Sequence, residues 1–278
     1  MATPCRCLAC AGPTPLPGEF NPVTNTANEN YTQSAQRNNR PRTEIGLRFL
    51  DTRQKLKVAT WNVLTLRQLG APILLANEMQ RYNVTIAGLC EARWTGSGET
   101  LINDYFFCWS GHETLHRRGV ALALGPSARR ALIEWKPAGE RLLVARLRHR
   151  FGKLTVIVAY APTEDCDEEI KNDYYNQLEA IISRVPPHDV CIVLTDANAS
   201  ISGEARELWP GTTGNVFVDA STNDNGDRLL DLCNSTGLCI TDSWFLVPEF
   251  IIGHGIVMMV TPKKPWTISL FRSAGVKL

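Results

Sequence analysis

The sequence predicts a layered α/β architecture with mixed β-sheets. Three observations predict it. Apolar strands intermix with amphipathic helices along the chain, one pair of strands flanks a hairpin turn, and other strands are joined by helical crossovers. A 44% hydrophobic content is enough for an ordinary globular core.

The elements follow in order from about residue 56. Leu56-Lys57-Val58-Ala59-Thr60-Trp61-Asn62-Val63 alternates and reads as a strand. Ile73, Leu74, Met79 and Tyr82 suit a short helix opened by Pro72 near its first turn. Val84 to Cys90 reads as a buried strand ending at Glu91, and Gly119 to Leu124 as another. Arg141 to His149 and Leu154 to Tyr160 flank Arg150-Phe151-Gly152-Lys153, a hairpin turn. Ile170, Tyr174, Leu178, Ile181 and Ile182 recur at helical spacing behind an acidic start, and Pro186-Pro187 stops that helix. Val190 to Leu194 is a continuous apolar strand running into Asp196. A helix near Asp227 to Ser235 ends at Gly237, and a strand follows at Leu238 to Thr241.

Composition excludes some classes. The net charge of +1 argues against a surface that is basic throughout. No apolar run has the roughly 18–20 residues a membrane span needs; Phe250 to Val260 is interrupted by Gly253-His254-Gly255. Nine cysteines cannot all pair, and Cys90, Cys191 and Cys239 lie in apolar runs. With no secretory leader at the N-terminus, an intracellular location, nuclear or cytoplasmic, is expected. Cys5, Cys7 and Cys10 lack a second knuckle nearby and read as part of a tail. Residues 1–55 are rich in Pro, Asn and Thr without periodicity, and are expected to be a disordered tail. Residues 56–245 then form the folded domain and 246–278 a divergent segment.

Four apolar strands end in polar residues: Asn62, Glu91, Tyr160, and the Asp196-x-Asn198 pair. Strand ends are where sites gather in α/β sheets. Carboxylates with amides and a phenol, and no Ser/His or Cys/His pairing, suit a hard cation such as Mg²⁺ and a phosphate. Glu91 would bind the metal, and an Asp would activate or orient water.

Taken together, Thr60-Trp61-Asn62-Val63, Cys90-Glu91-Ala92-Arg93, Tyr160-Ala161-Pro162-Thr163 and Asp196-Ala197-Asn198-Ala199 resemble the endonuclease/exonuclease/phosphatase superfamily. The resemblance is to the apurinic-type endonuclease domains of non-LTR retrotransposons. Arg118-Gly119-Val120-Ala121-Leu122, Asn225-Gly226-Asp227-Arg228-Leu229-Leu230-Asp231 and Leu238 to Phe245 extend it. It implies a four-layer sandwich, two mixed sheets face to face with helices outside, incomplete at the C-terminus here. It also implies phosphodiester or phosphomonoester hydrolysis with Mg²⁺ or Mn²⁺. Glu91 would be the metal ligand, Asn62 would order the metal and phosphate site, and Tyr160 would contact the scissile phosphate. Asp196 would position or deprotonate water, and Asn198 would hold the phosphate.

The sequence departs from that family at several points. Thr195 stands where the family has glycine, Ala197 where it has phenylalanine, and Leu64 where repair enzymes often carry Asp. The family's terminal Asp-His pair has no counterpart in Leu246 to Leu278, which hold one histidine, His254, and no Asp. Weak or absent nuclease activity is therefore expected, and the sheet lacking that strand would carry an open edge unless Phe250 to Val260 covers it.

Residues 117–153 hold ten Lys/Arg and two acids. Arg118, Arg146 and Arg148 are candidates for a phosphate-tracking surface, with DNA as the expected partner. Two alternatives compete: a catalytically dead nucleic-acid or protein binding module, and a small-molecule phosphatase of the same superfamily.

Overall fold

A computed structural model describes residues 49–50, 56–216 and 221–244, and the backbone of two further strands at 255–259 and 268–272. One compact unit runs from Ile45 to Leu278. It contains two six-stranded mixed sheets.

The first sheet is built from β1 (Leu56–Asn62), β2 (Ile86–Cys90), β3 (Ser97–Ile102), β4 (Tyr105–Ser110) and β5 (Val120–Leu124). After a short helix, α2 (Pro126–Ala131), the chain crosses to the second sheet. That sheet takes β6 (Leu132–Pro137), β7 (Leu142–His149), β8 (Gly152–Tyr160), β9 (Asp189–Asp196), β10 (Cys239–Ile240) and β11 (Gly255–Met259). The strand β12 (Ile268–Arg272) then returns to the first sheet, beside β1. The spatial orders are β12-β1-β2-β5-β4-β3 and β10-β11-β9-β8-β7-β6.

Each sheet has a parallel pair at its centre. β1 and β2 are parallel in one, β8 and β9 in the other, and their outer partners β5, β7 and β11 run antiparallel. Both faces of these strands are covered, which explains their continuous apolar runs. In β5, Val120, Leu122 and Leu124 enter the core between the sheets, while Ala121 and Ala123 face outward under a helix. In β8, Leu154, Val156 and Val158 face the other sheet, while Ile157 and Ala159 face outward.

The helices supply the two outer layers. α1 (Ala71–Arg81) packs Leu75, Ala76 and Met79 against the first sheet. α3 (Glu168–Ser183) and α5 (Asp224–Thr236) cover the second with Tyr174, Tyr175, Leu178, Leu229 and Cys233. The short α4 (Ala205–Leu208) buries Ala205 in the same cluster. Helix–sheet–sheet–helix is the expected four-layer arrangement.

Several expectations need correction. The buried face of α1 is Ala71, Leu75, Ala76 and Met79, whereas Ile73 and Leu74 are about half exposed, at 48% and 52%. Ala71 and Ala76 are small, so the buried stripe carries little hydrophobic signal. The hairpin turn is only Arg150-Phe151, because His149 already pairs with Gly152. α5 starts at Asp224, three residues before the expected position, since the Asn223 side chain accepts from the Gly226 amide and caps it there. Leu50, within the stretch assigned to the tail, is among the described residues. Leu50 is 4% exposed, and its amide donates to the Arg148 carbonyl at 2.8 Å, extending the second sheet's edge. A single leucine in a polar stretch has no periodicity to announce it.

Within 246–278, β11 runs antiparallel along β9, opposing Gly255 to Asp196, so that edge of β9 is paired. Apart from residues 49–50 and the backbone of β11 and β12, the tail and the 246–278 segment, Cys5, Cys7, Cys10 and His254 included, lie outside the described residues. Among the described residues no helix is long and apolar enough to cross a membrane.

Candidate active site

The four polar strand ends meet because the two parallel pairs point the same way at the sheet interface. Asn62 closes β1 and Glu91 follows β2, one residue beyond the Asn62–Cys90 pairing. Tyr160 and Asp196 close β8 and β9 and are direct neighbours in register.

Small residues bring the sheets close beneath the site. A methyl group on Gly88 of β2 would sit 2.5 Å from Cβ of Leu194 on β9. Cys90 Sγ donates to the Ala159 carbonyl at 3.3 Å, and Thr60 Oγ1 reaches the Thr195 carbonyl at 3.5 Å.

The polar ends then bond across the gap. Asn62 Nδ2 donates to Asp196 Oδ2 at 2.8 Å and to Glu91 Oε1 at 3.1 Å. Tyr160 OH donates to the same Glu91 Oε1 at 3.0 Å. Arg93 Nη2 holds Glu91 Oε2 at 2.6 Å. Thus each sheet contributes one carboxylate, and each carboxylate accepts from a donor on the other sheet.

Backbone geometry aims two of these groups. Glu91 and Asn198 have φ of 57° and 46°, in the left-handed region that non-glycine residues rarely occupy. Such conformations persist only where surroundings enforce them, and they concentrate at functional sites. Asn198 Nδ2 donates to the Ala161 carbonyl at 3.0 Å, which ties the loop after β9 to the loop after β8.

Electrostatics follow from this wiring. Burial alone would raise the Glu91 carboxyl, but hydrogen bonds from Asn62, Arg93 and Tyr160 outweigh it and hold the group below the ordinary carboxylate range. Burial, reinforced by the charge of Glu91, pushes the Tyr160 phenol far above its usual value, so it stays a donor. Arg141 stacks its guanidinium 5.2 Å from the Tyr160 ring centroid and donates to the Tyr160 and Ala161 carbonyls at 3.0 and 3.1 Å.

All five residues expected at the site, Asn62, Glu91, Tyr160, Asp196 and Asn198, are therefore brought to one end of the two sheets. Two of the family departures, Thr195 and Ala197, are accommodated. Thr195 lies in paired, extended backbone and is not asked for a positive φ. Ala197 is buried in the cluster beneath α3 and α5.

The basic candidates separate. Arg118 lies near the site: its carbonyl accepts from the Arg93 amide, and its side chain pairs with Glu140. Arg146 and Arg148 lie toward the opposite end of β7. Arg148 pairs with Lys153, seven residues from Tyr160 along β8, or about 23 Å at a strand's rise. Arg146 is held by Asp189 through two hydrogen bonds at 2.6 and 2.9 Å. These arginines do not form one surface at the strand ends, because alternation reports a shared face but not a distance along it.

Residues not assigned a role from sequence also surround the site. Arg93 and Arg141 clamp Glu91 and Tyr160, and Asn223 and Asn225 hold the Asn198 carbonyl. Arg93 and Asn225 are signalled only by membership of the Cys90–Arg93 and Asn225–Asp231 stretches, Arg141 only by the basic run, and Asn223 by none of these.

No family model matches the chain. Over 192 residues it is 33% identical to craniofacial development protein 2 of Bos taurus, a match covering 69% of this chain and 32% of that protein. The Tragulus javanicus protein of the same name matches at 32% over 192 residues, covering 69% and 33%. The chain spans about a third of the length of these curated relatives. A solved AP endonuclease from Leishmania major shares the fold with a TM-score of 0.51 at 12% identity, over 72% of this chain and 77% of that one. The chain is thus similar in sequence to craniofacial development protein 2 and carries the fold of the endonuclease/exonuclease/phosphatase superfamily.

Proposed function

We propose that the strand-end cluster is a phosphodiester-hydrolysing site of retrotransposon-endonuclease type, acting on DNA with Mg²⁺ or Mn²⁺. The observation that carries this reading is the convergence of Glu91 and Asp196 around the Asn62 amide, with Tyr160 OH on Glu91. The donor set fits a hard cation: it is all oxygen, and Glu91 is kept ionised at neutral pH by its hydrogen bonds. A cation held by Glu91 would neutralise charge developing on the phosphate.

The chain's own groups do the rest. Asp196 is placed by Asn62 to accept a proton from the attacking water. Asn198 spends one amide hydrogen on Ala161 and keeps the second for a phosphate oxygen. Tyr160 remains protonated and gives its one proton to Glu91, which orders the carboxylate that would hold the cation. Arg118 and Arg93, on loop segments joined by the bond from the Arg93 amide to the Arg118 carbonyl, supply positive charge for the flanking phosphates.

Turnover is proposed to be slow. Residues 246–278 contain no Asp beside their single histidine, so the leaving oxygen lacks the family's oriented imidazole. Plasmid nicking with Mg²⁺ tests both parts. Slow nicking abolished by Glu91→Gln and Asp196→Asn, and accelerated by a restored Asp-His pair, supports the proposal. Nicking near the rates of intact relatives refutes the slow-turnover part. No nicking even with the restored pair refutes the nuclease reading and favours a binding module.

A further inference from the structure

The Asn225-Gly226 pair opens α5, outside the Glu91–Asp196 cluster, yet it grips one member of the site. The Asn198 carbonyl accepts from Asn223 Nδ2 at 3.1 Å and from Asn225 Nδ2 at 3.4 Å. The same Asn225 amide donates to the Pro162 carbonyl at 3.0 Å. One side chain therefore joins the loop after β9 to the loop after β8, beneath both Asn198 and Tyr160.

Asn225 is itself fully buried, at 0% exposure. The Tyr175 hydroxyl on α3 donates to its backbone carbonyl at 3.0 Å and lies 3.4 Å from its Oδ1. The two backbone carbonyls fix which way the amide faces, because only its nitrogen can donate to them. Asn223 works alongside. Its Oδ1 accepts from the Gly226 amide at 2.8 Å and the Ser200 amide at 2.9 Å, so the helix cap is also a loop anchor. Gly226 permits the contact, since a Cβ there would lie 2.2 Å from the Ser200 carbonyl oxygen. Buried Lys171 braces the helix start from α3, through Asp224 at 3.0 Å and Glu164 at 3.5 Å.

We propose that Asn225 is a positioning residue for Asn198. By holding the Asn198 and Pro162 carbonyls with one amide, it keeps Asn198 at positive φ and its side chain directed at the site, without touching substrate. The proposal rests on the reading of Asn198 as the phosphate-holding group.

The test uses Asn225→Asp, which keeps the volume and the Tyr175 acceptor but loses the amide donor. Asn223→Asp serves as a second variant: it keeps the helix cap and loses only the donor to the Asn198 carbonyl. Two readouts are needed, the Asn198 side-chain amide resonances by NMR and the affinity for a short DNA duplex in Ca²⁺ by fluorescence anisotropy. Asn225→Asp is expected to shift the Asn198 resonances, leave those of Asn62 in place, and weaken DNA binding about tenfold, as Asn198→Ala does. The double variant Asn198→Ala with Asn225→Asp should bind no more weakly than either of these single variants. Asn223→Asp should give a smaller change of the same kind, and it decides the matter if Asn225→Asp fails to fold. Unmoved Asn198 resonances, or additive losses in the double variant, overturn the proposal. Wild-type protein that does not respond to Asn198→Ala refutes the phosphate-holding reading instead, while the resonances still report on positioning.

Discussion

Replacing Asn62 by alanine should destabilise the protein in a pH-dependent way. The Asn62 amide nitrogen donates to two carboxylates, Asp196 at 2.8 Å and Glu91 at 3.1 Å. A hydrogen bond to a charged group contributes about 1.5–3 kcal/mol. Glu91 is only part-buried, which argues for the lower end, so the loss at neutral pH should be about 2–3 kcal/mol. The pH dependence follows from Glu91. Burial raises its pKa, and Asn62 heads the donors that more than reverse this. A carboxyl depressed in the folded state adds stability that is fully present above its unfolded pKa of about 4.3 and is lost as pH falls through the lower folded value. Without Asn62 the folded value rises, so there is less stability to lose in acid. The destabilisation by Asn62→Ala should therefore be largest at neutral pH and shrink below about pH 4. Urea unfolding at both pH values, with a carboxyl ¹³C titration of Glu91, measures it. An equal loss at both, or an unmoved Glu91 titration, would refute the claim that the amide acts on the charged carboxylate.

The other predictions concern the same framework. Tyr160→Phe removes the 3.0 Å donor to Glu91; it should cost about 1 kcal/mol and raise the Glu91 pKa, read by the same titration. Gly88→Ala places a methyl 2.5 Å from Leu194 Cβ, and chemical denaturation should show a loss of about 1–3 kcal/mol; an unchanged midpoint would mean the sheets can move apart freely. Arg146→Ala leaves the Asp189 carboxylate, 4% exposed, with the Thr155 hydroxyl. It should cost about 2–4 kcal/mol yet leave the salt dependence of DNA binding unchanged, and a flattened slope would restore Arg146 to the nucleic-acid surface.

How legible each element was depended on how many of its faces are covered. β2, β5, β8 and β9 are buried on both sides, and their apolar runs stand out in the sequence. β3, Ser-Gly-Glu-Thr-Leu-Ile, is an edge strand with mostly exposed side chains, so nothing marked it. β4, Tyr-Phe-Phe-Cys-Trp-Ser, is apolar on both faces and shows no alternation to mark it as a strand. The site residues were legible because a polar residue closing a buried strand is chemically conspicuous. The donors that organise them were not. Arg93 and Asn225 act through contacts set by loop conformation, such as Asn198 at a φ of 46°, which local sequence does not encode.

The return of β12 to the first sheet bears on how the chain reaches this fold. Leu56 pairs with Ile268, more than two hundred residues downstream. Contacts so distant in sequence are slow to form, because the loop entropy must be lost before any pairing rewards it. During synthesis β1 to β5 emerge together, yet β1 waits with one side unpaired until the second sheet has been made. Asn62 sits on that waiting strand. Completing the first sheet and completing the site's immediate support are therefore late and linked events, and an exposed β1 edge is where premature association between copies would begin.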